Sequence, residues 1–408
     1  MIHLMQQGGR AAFYPVVMWG ELTQQALAAG PYPLAAASHR RRFEHYYRWF
    51  QTWLAPFGTA RFEFDDIDVD GVRTPVSERT VSATPFCTLR AFHCAPRSRR
   101  KPRPRVLLCA PLAGHRAVLM RDTVAALLPH ADVYVTDWAD ARDVPREAGA
   151  FGLDDYVLLV ERFIRLLDPA GLHVLAVCQA TVPALAAVSR VAQADGAEPA
   201  TLTLIGGPID ARLGPTTLDR VAATLSLPWL EATAIDVVPS GYAGAGRRIY
   251  PGFLQYPALV AAQPDRHATL MYDWLCRRQA ADADTAREIE RAVAQYGAVL
   301  DMTAEFFFDT LRVVFQQMLL PKGAWRVGGE MVRPDCLRRT RLLTIEGDRD
   351  DISGPGQTHA AQGLCSGLPT RCRERLTIER CDHYGLFSGA RWRETVHPAV
   401  RNWLGAAA

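Results

Sequence analysis

No run of about eighteen consecutive apolar residues occurs in this 408-residue chain, so no transmembrane helix is expected. The opening residues, Met1-Ile2-His3-Leu4-Met5-Gln6-Gln7, lack a basic region followed by an apolar one, which predicts no secretory leader. An excess of either charge is also missing. With 46 basic and 43 acidic residues the formal charge is +3, which removes the bulk electrostatic case for a nucleic-acid partner. The nine cysteines include no C-x-x-C pair and are odd in number. A disulfide framework and a zinc site are therefore disfavoured, and a reducing, cytoplasmic setting is expected. Internal repeats and low-complexity tails are absent. Nothing calls for a metal or a bound cofactor.

What is present is globular: 49% of residues are hydrophobic and 22% charged. That length suits one large domain carrying an insertion. Residues 1–60 read as an N-terminal helical segment. Its aromatics, among them Phe43, Tyr46, Tyr47, Trp49, Phe50 and Trp53, lie near Arg40-Arg41-Arg42. Packing on the main domain is the first expectation for them, and a surface for a hydrophobic particle the second. From Phe62 to Phe92 the pattern is strand-like around a turn at Asp70-Gly71, and Arg97 to Arg105 is a basic loop.

Alternation then begins. Val106–Ala110, Val133–Asp137, His173–Val177 and Thr201–Gly206 are buried-strand runs, separated by helical patterns at Val118–Leu128, Tyr156–Leu167 and Pro183–Val188. Such alternation implies a mostly parallel, doubly wound sheet covered on both faces, an α/β fold. It breaks after Leu213. Residues 214–338 read as helix and loop without an obvious strand, with an apolar helix over Thr303–Leu319, and form an inserted, mainly helical cap. Strands resume at Leu342–Glu346 and Leu376–Glu379, and a last helix covers Trp392–Leu404. The core is thus divided into 61–213 and 339–408, with the cap between.

The run His173–Leu185 carries the chemistry. A strand leads to Cys178, flanked by Ala176 and Ala180, and a helix follows. That is the outline of a nucleophile elbow, where small neighbours let strand and helix approach a strained turn. A buried core cysteine would look the same on this stretch alone. Two later loops separate the readings. Past the strand Leu342–Glu346 come Asp348, Asp350 and Asp351; Asp350 is the first choice as orienting acid, three residues after Gly347, and Asp351 the second. Past the last strand comes His383, the candidate base. The order nucleophile, acid, histidine is that of α/β hydrolases. His115 is a weaker candidate because it precedes the nucleophile. The expected oxyanion donors are the backbone N–H of Gln179 and those of Leu112 and Ala113, on the loop after Val106–Ala110.

Several ordered segments resemble the intracellular polyhydroxybutyrate depolymerase family. They include P-L-A-G-H at 111–115, T-D-W-A-D-A-R-D-V-P at 136–145, A-V-C-Q at 176–179, G-G-P-I-D-A-R at 206–212, Y-P-G-F-L-Q at 250–255, E-G-D-R-D-D-I-S-G-P-G-Q-T at 346–358 and H-Y-G-L-F-S-G at 383–389. The resemblance implies an α/β-hydrolase fold, a triad of Cys178, Asp350 and His383, and cleavage of a poly-3-hydroxyalkanoate storage polymer at a granule surface. Water or coenzyme A would take the acyl group, and a homo-oligomer is compatible with it. Departures are Ala180, where the family has proline, Ala113, where a serine is common, and Glu379–Asp382, where glycine-rich sequence is usual. Two other readings stay open: a polyhydroxyalkanoate synthase-like acyltransferase, and a non-catalytic granule-associated protein.

Overall fold

The computed structural model describes residues 61–69, 71–94, 103–254, 264–278 and 281–405. The expected helical segment 1–60, Asp70 of the expected turn, most of the 97–105 loop and the side chains of Arg266 and His267 lie outside the described residues.

Nine strands form one sheet. In chain order they are β1 (Asp66–Val69), β2 (Val72–Ala83), β3 (Cys87–Cys94), β4 (Arg105–Cys109), β5 (Asp132–Trp138), β6 (Leu172–Val177), β7 (Thr201–Ile205) and, after the insertion, the two strands Arg341–Gly347 and Arg373–Ile378. Their spatial order is β1-β2-β3-β5-β4-β6-β7, then Arg341–Gly347, then Arg373–Ile378. From β5 onward every pairing is parallel, while β1, β2 and β3 add an antiparallel edge. The central strands β6 and β7 are buried along their whole length. This is why they read as continuous apolar runs rather than as alternating ones. Strand β4 is followed on one side by β5 and on the other by β6, so the order reverses between β4 and β6. A crevice opens at such a reversal, beyond the carboxyl ends of the strands. The loop after β4 and the turn after β6 both end there.

Helices α1 (Arg121–Leu127), α2 (Leu153–Leu166) and α3 (Thr181–Asp195) cover the sheet. Helix α3 is the central one. Ala184, Ala186 and Ala187 have no exposed surface, nor do Leu185, Val188 and Val191. The alanines let the helix lie close to the sheet, and each buried leucine or valine contributes about 1.5–3 kcal/mol. The helix stops at Gly196, whose φ of 64° provides the left-handed C-terminal position.

The insertion differs from expectation in one respect. Helices α4 (Thr217–Thr224), α5 (Leu227–Thr233), α6 (Pro264–Tyr272), α7 (Ala283–Tyr296) and α8 (Ala304–Thr310) make it mainly helical, but it also contains strands. Those are β8 (Asp236–Val237), β9 (Arg248–Tyr250) and β10 (Met302–Thr303), joined in a three-stranded antiparallel sheet, and a hairpin of β11 (Arg326–Val327) and β12 (Glu330–Met331). Strands of two or three residues are too short to show a period of two. The expected apolar helix 303–319 is α8 followed by a wider turn at Leu311–Gln316. The last two core strands are β13 (Arg341–Gly347) and β14 (Arg373–Ile378), and the chain ends its described part in α9 (His397–Gly405).

The insertion and the sheet domain are tied along the loop after β4. Backbone of 298–301 runs along the loop after β4: Arg116 N–H donates to Ala298 O at 2.8 Å, and Leu300 N–H to Gly114 O at 2.9 Å. Next to this seam Asp301, with no exposed surface, accepts from Arg142 at 2.9 Å and from Gly252 N–H at 2.9 Å. Asp140 accepts from Arg116, Arg142 and the Asp301 N–H. Burial and the neighbouring Asp140 carboxylate push the Asp301 pKa up to about 6, against the pull of Arg142. A carboxyl whose folded pKa is raised is favoured when protonated. It therefore costs stability above that pKa, and the cost fades as pH falls from about 6 toward the unfolded value near 4. The expected size is up to about 3 kcal/mol. Urea unfolding of the protein and of Asp301→Asn at pH 7 and pH 4.5 checks this. The parent should gain on the variant at the lower pH, and a constant difference between them would contradict the assignment.

Candidate active site

Strand β6 ends at Val177, and the chain turns abruptly into a short 3-10 turn, Cys178–Ala180, that leads into α3. Cys178 takes φ 55°, in the left-handed region that residues other than glycine seldom occupy. A residue held there costs about 1–3 kcal/mol and persists only where its surroundings fix it. Those surroundings are specific. Ala176 and Ala180 are fully buried on either side of the turn. The Thr181 hydroxyl donates to Cys178 O at 2.8 Å. Gly207 presses on the same place: a Cβ added to it would lie 1.8 Å from Thr181 Oγ1 and 2.5 Å from Cys178 O. Thr358 in turn holds Gly207, accepting from its N–H at 2.8 Å and donating to its carbonyl at 3.0 Å. The Cys178 thiol itself is half-buried.

Three of the residues singled out in the sequence meet here. Asp350 lies just past β13, and His383 just past β14. His383 Nδ1 is 2.8 Å from Asp350 Oδ2. The other carboxylate oxygen, Oδ1, accepts from the N–H groups of Ile352 and Ser353 at 2.9 and 2.8 Å, which locks the acid in place. The Cys178 side chain is close enough to the same imidazole to act on its pKa. Since Nδ1 is taken by Asp350, Nε2 is the nitrogen left for sulfur. Gly206 runs beneath the pair; a Cβ there would meet Leu386 Cδ1 at 2.9 Å and come within 3.3 Å of Asp350 Oδ2. His383 is 2% exposed, and its ring sits edge-on to Tyr384 and Phe387. Burial alone would lower its pKa. The Asp350 carboxylate, the neighbouring Cys178 and hydrogen-bond contributions from both prevail and raise it well above the ordinary value.

The other candidates are not part of this arrangement. His115 is buried, its Nε2 meets Tyr296 O at 3.1 Å, and burial brings its pKa down to about 4. Cys381 is buried two residues before His383, and burial pushes its thiol up to about 12. Asp348 accepts from Cys381 N–H at 3.1 Å and so shapes the loop under His383. Residues of the segments 136–145 and 206–212 make structural contacts instead. Trp138 Nε1 donates to Ala110 O at 2.8 Å, and Asp137 and Asp210 pair with Arg90 and Arg212. Tyr384 is buried in the ring cluster beside His383.

The loop after β4 holds a contact that the sequence does not disclose. Leu112 N–H donates at 3.2 Å to the side-chain oxygen of Gln179, the residue after the candidate nucleophile. Sequence reasoning also misses Thr181, Gly207 and Thr358, although a threonine three residues after an elbow and a G-G-P turn after the next strand are visible in the chain. Among the described residues no group of three or more His, Cys, Asp or Glu side chains is placed to hold a metal ion. No described helix is long and apolar enough to cross a membrane.

The strand order, the left-handed turn after β6 and the loops after β13 and β14 define an α/β-hydrolase fold. Solved structures similar to the chain include an α/β-hydrolase fold protein from Nakamurella multipartita, 15% identical over 81% of this chain and 100% of that one, TM-score 0.42. A thermophilic esterase from Thermogutta terrifontis is 12% identical over 84% and 97%, TM-score 0.42. A meta-cleavage product hydrolase from Pseudomonas fluorescens IP01 is 14% identical over 84% and 98%, TM-score 0.42. No curated protein matches the chain. Residues 206–408 match the family described as PHB de-polymerase C-terminus. The matched part supplies β13, β14, the cap, Asp350 and His383, while Cys178 lies before it.

Proposed function

We propose that the protein is an esterase that depolymerises poly-3-hydroxybutyrate or a related poly-3-hydroxyalkanoate, with Cys178 as nucleophile. The observation that carries this reading is the His383 imidazole, hydrogen-bonded to Asp350 and next to Cys178, each just past the end of a strand at the carboxyl edge of the sheet. The depolymerase family of residues 206–408 supports the polymer as substrate.

In this reading Cys178 Sγ attacks an ester carbonyl, and His383 takes the thiol proton. Asp350 fixes the imidazole tautomer and stabilises its positive form. The tetrahedral oxyanion is held by the Gln179 N–H and by the loop after β4. Collapse breaks the ester C–O bond, and the departing alkoxide takes the proton from His383. What remains is a thioester on Cys178. Water, deprotonated by His383, attacks that thioester; the C–S bond breaks, Cys178 regains its proton from His383, and a 3-hydroxy acid is released; the thiol of coenzyme A is the alternative acceptor. Granule association is part of the same proposal.

The test is release of 3-hydroxybutyrate from amorphous polymer, with and without coenzyme A. Steady release of the acid or its thioester is expected. Polymer growth from 3-hydroxybutyryl-coenzyme A, without release from the amorphous chains, would replace this reading by acyl transfer in the synthetic direction.

A further inference from the structure

We propose that the side chain of Gln179 is a positioning residue of the oxyanion site, and that it leaves the Ala113 N–H, rather than that of Leu112, as the second oxyanion donor. This rests on the reading of Cys178 as the acylated nucleophile. An oxyanion site needs two N–H donors converging on the carbonyl oxygen above the nucleophile. One is the N–H of Gln179, in the first turn after the elbow, where N–H groups have no acceptor within the helix.

Two N–H groups on the loop after β4 compete to be the other, and they are not equivalent. Leu112 is 5% exposed, and its N–H is already engaged with Gln179 Oε1 at 3.2 Å. Ala113 is half-buried, and its N–H makes no hydrogen bond among the described residues. A donor consumed inside the protein is not available to a substrate carbonyl; an unengaged one on a partly open residue is.

The carboxamide does more than fill space. Because an N–H must meet an acceptor, the contact fixes the amide with its oxygen on Leu112 and Nε2 turned away. That Nε2 is buried and has no partner among the described residues, in a side chain only 8% exposed. Fold stability alone does not call for a half-satisfied amide here, since an apolar side chain of similar size would bury no unpaired donor. What the carboxamide adds is an acceptor that pins the Leu112 peptide. On the far side of Ala113, Gly114 O is pinned by Leu300 N–H of the cap at 2.9 Å. Ala113 is thus suspended between two fixed peptides, one held by the elbow and one by the cap.

Gln179→Leu removes the acceptor and keeps the bulk. Acylation of Cys178 by p-nitrophenyl butyrate passes through an oxyanion, whereas alkylation of the same thiol by iodoacetamide does not. The variant should lose about tenfold to a hundredfold in the acylation rate constant, with half-saturation little changed and alkylation within about twofold of the parent. Gln179→Met, unbranched and also without an acceptor, should show the same split and serves if the leucine variant does not fold. Acylation that is unchanged or faster would overturn the proposal, because Leu112 would then be the donor that Gln179 merely caps. A parallel fall in acylation and alkylation would overturn it too, by showing general damage to the elbow. Failure of the underlying reading looks different: the parent itself would not be acylated, or Cys178→Ala would be acylated equally fast.

Discussion

Replacing Cys178 by alanine is expected to lower polymer cleavage by at least about ten-thousandfold, the scale on which loss of a triad nucleophile acts. Alanine keeps the Cβ, so the turn at φ 55° is no more crowded than before. Thr181, Gly207 and Thr358 still brace it. Stability should therefore change by no more than about 1 kcal/mol, the range of substitutions that create no large cavity. A loss of activity without a loss of stability is the signature of a chemical role. The comparison is made by assaying release from amorphous polymer alongside urea unfolding of the same preparations. Retained cleavage would place the nucleophile elsewhere; Cys109, Cys365 and Cys381 offer poor substitutes, being buried with thiols pushed up to about 12.

Asp350→Asn should cost about a thousandfold to ten-thousandfold in kcat, because an amide at this place favours the wrong imidazole tautomer. The variant also makes a prediction in pH. In the parent, burial works to lower the His383 pKa and the Asp350 charge works to raise it, with the charge prevailing. Without the charge, the largest upward contribution is lost and the pKa falls. The rise in kcat/KM that follows loss of the His383 proton should then move to lower pH, even as its plateau drops. A plateau loss with the limb unmoved would mean that Asp350 does not face the working imidazole. The loop itself should survive, since an asparagine oxygen can still accept from Ile352 and Ser353 N–H.

Much of this site is legible in the amino-acid sequence, and for a physical reason. Fully buried parallel strands leave continuous apolar runs, and residues just past their ends must lie on one edge of the sheet. Val177, Gly347 and Ile378 mark three such ends, and Cys178, Asp350 and His383 follow them. The helix after Cys178 is legible through its alanines, which also account for Ala180: it is fully buried where the helix starts against the sheet.

What is illegible depends on partners distant in sequence. Strands as short as Asp236–Val237 or Met302–Thr303 exist only because another segment lies alongside. The Asp140–Arg142–Asp301 cluster joins residues some 160 positions apart, and nothing local marks Asp301 as buried. Gln179 reads in the sequence as a backbone donor only. Its side-chain contact with Leu112 emerges once the loop after β4 and the elbow are placed side by side.

The central claim is that a thioester forms on Cys178, and it can be observed directly. The protein is mixed with a short 3-hydroxybutyrate ester, quenched in acid within the first turnover, digested and analysed by mass spectrometry. The account predicts a hydroxybutyryl group on the peptide containing Cys178, removed by neutral hydroxylamine and absent in Cys178→Ala. Turnover of the ester with the acyl group on another residue, or with none on Cys178, would contradict it.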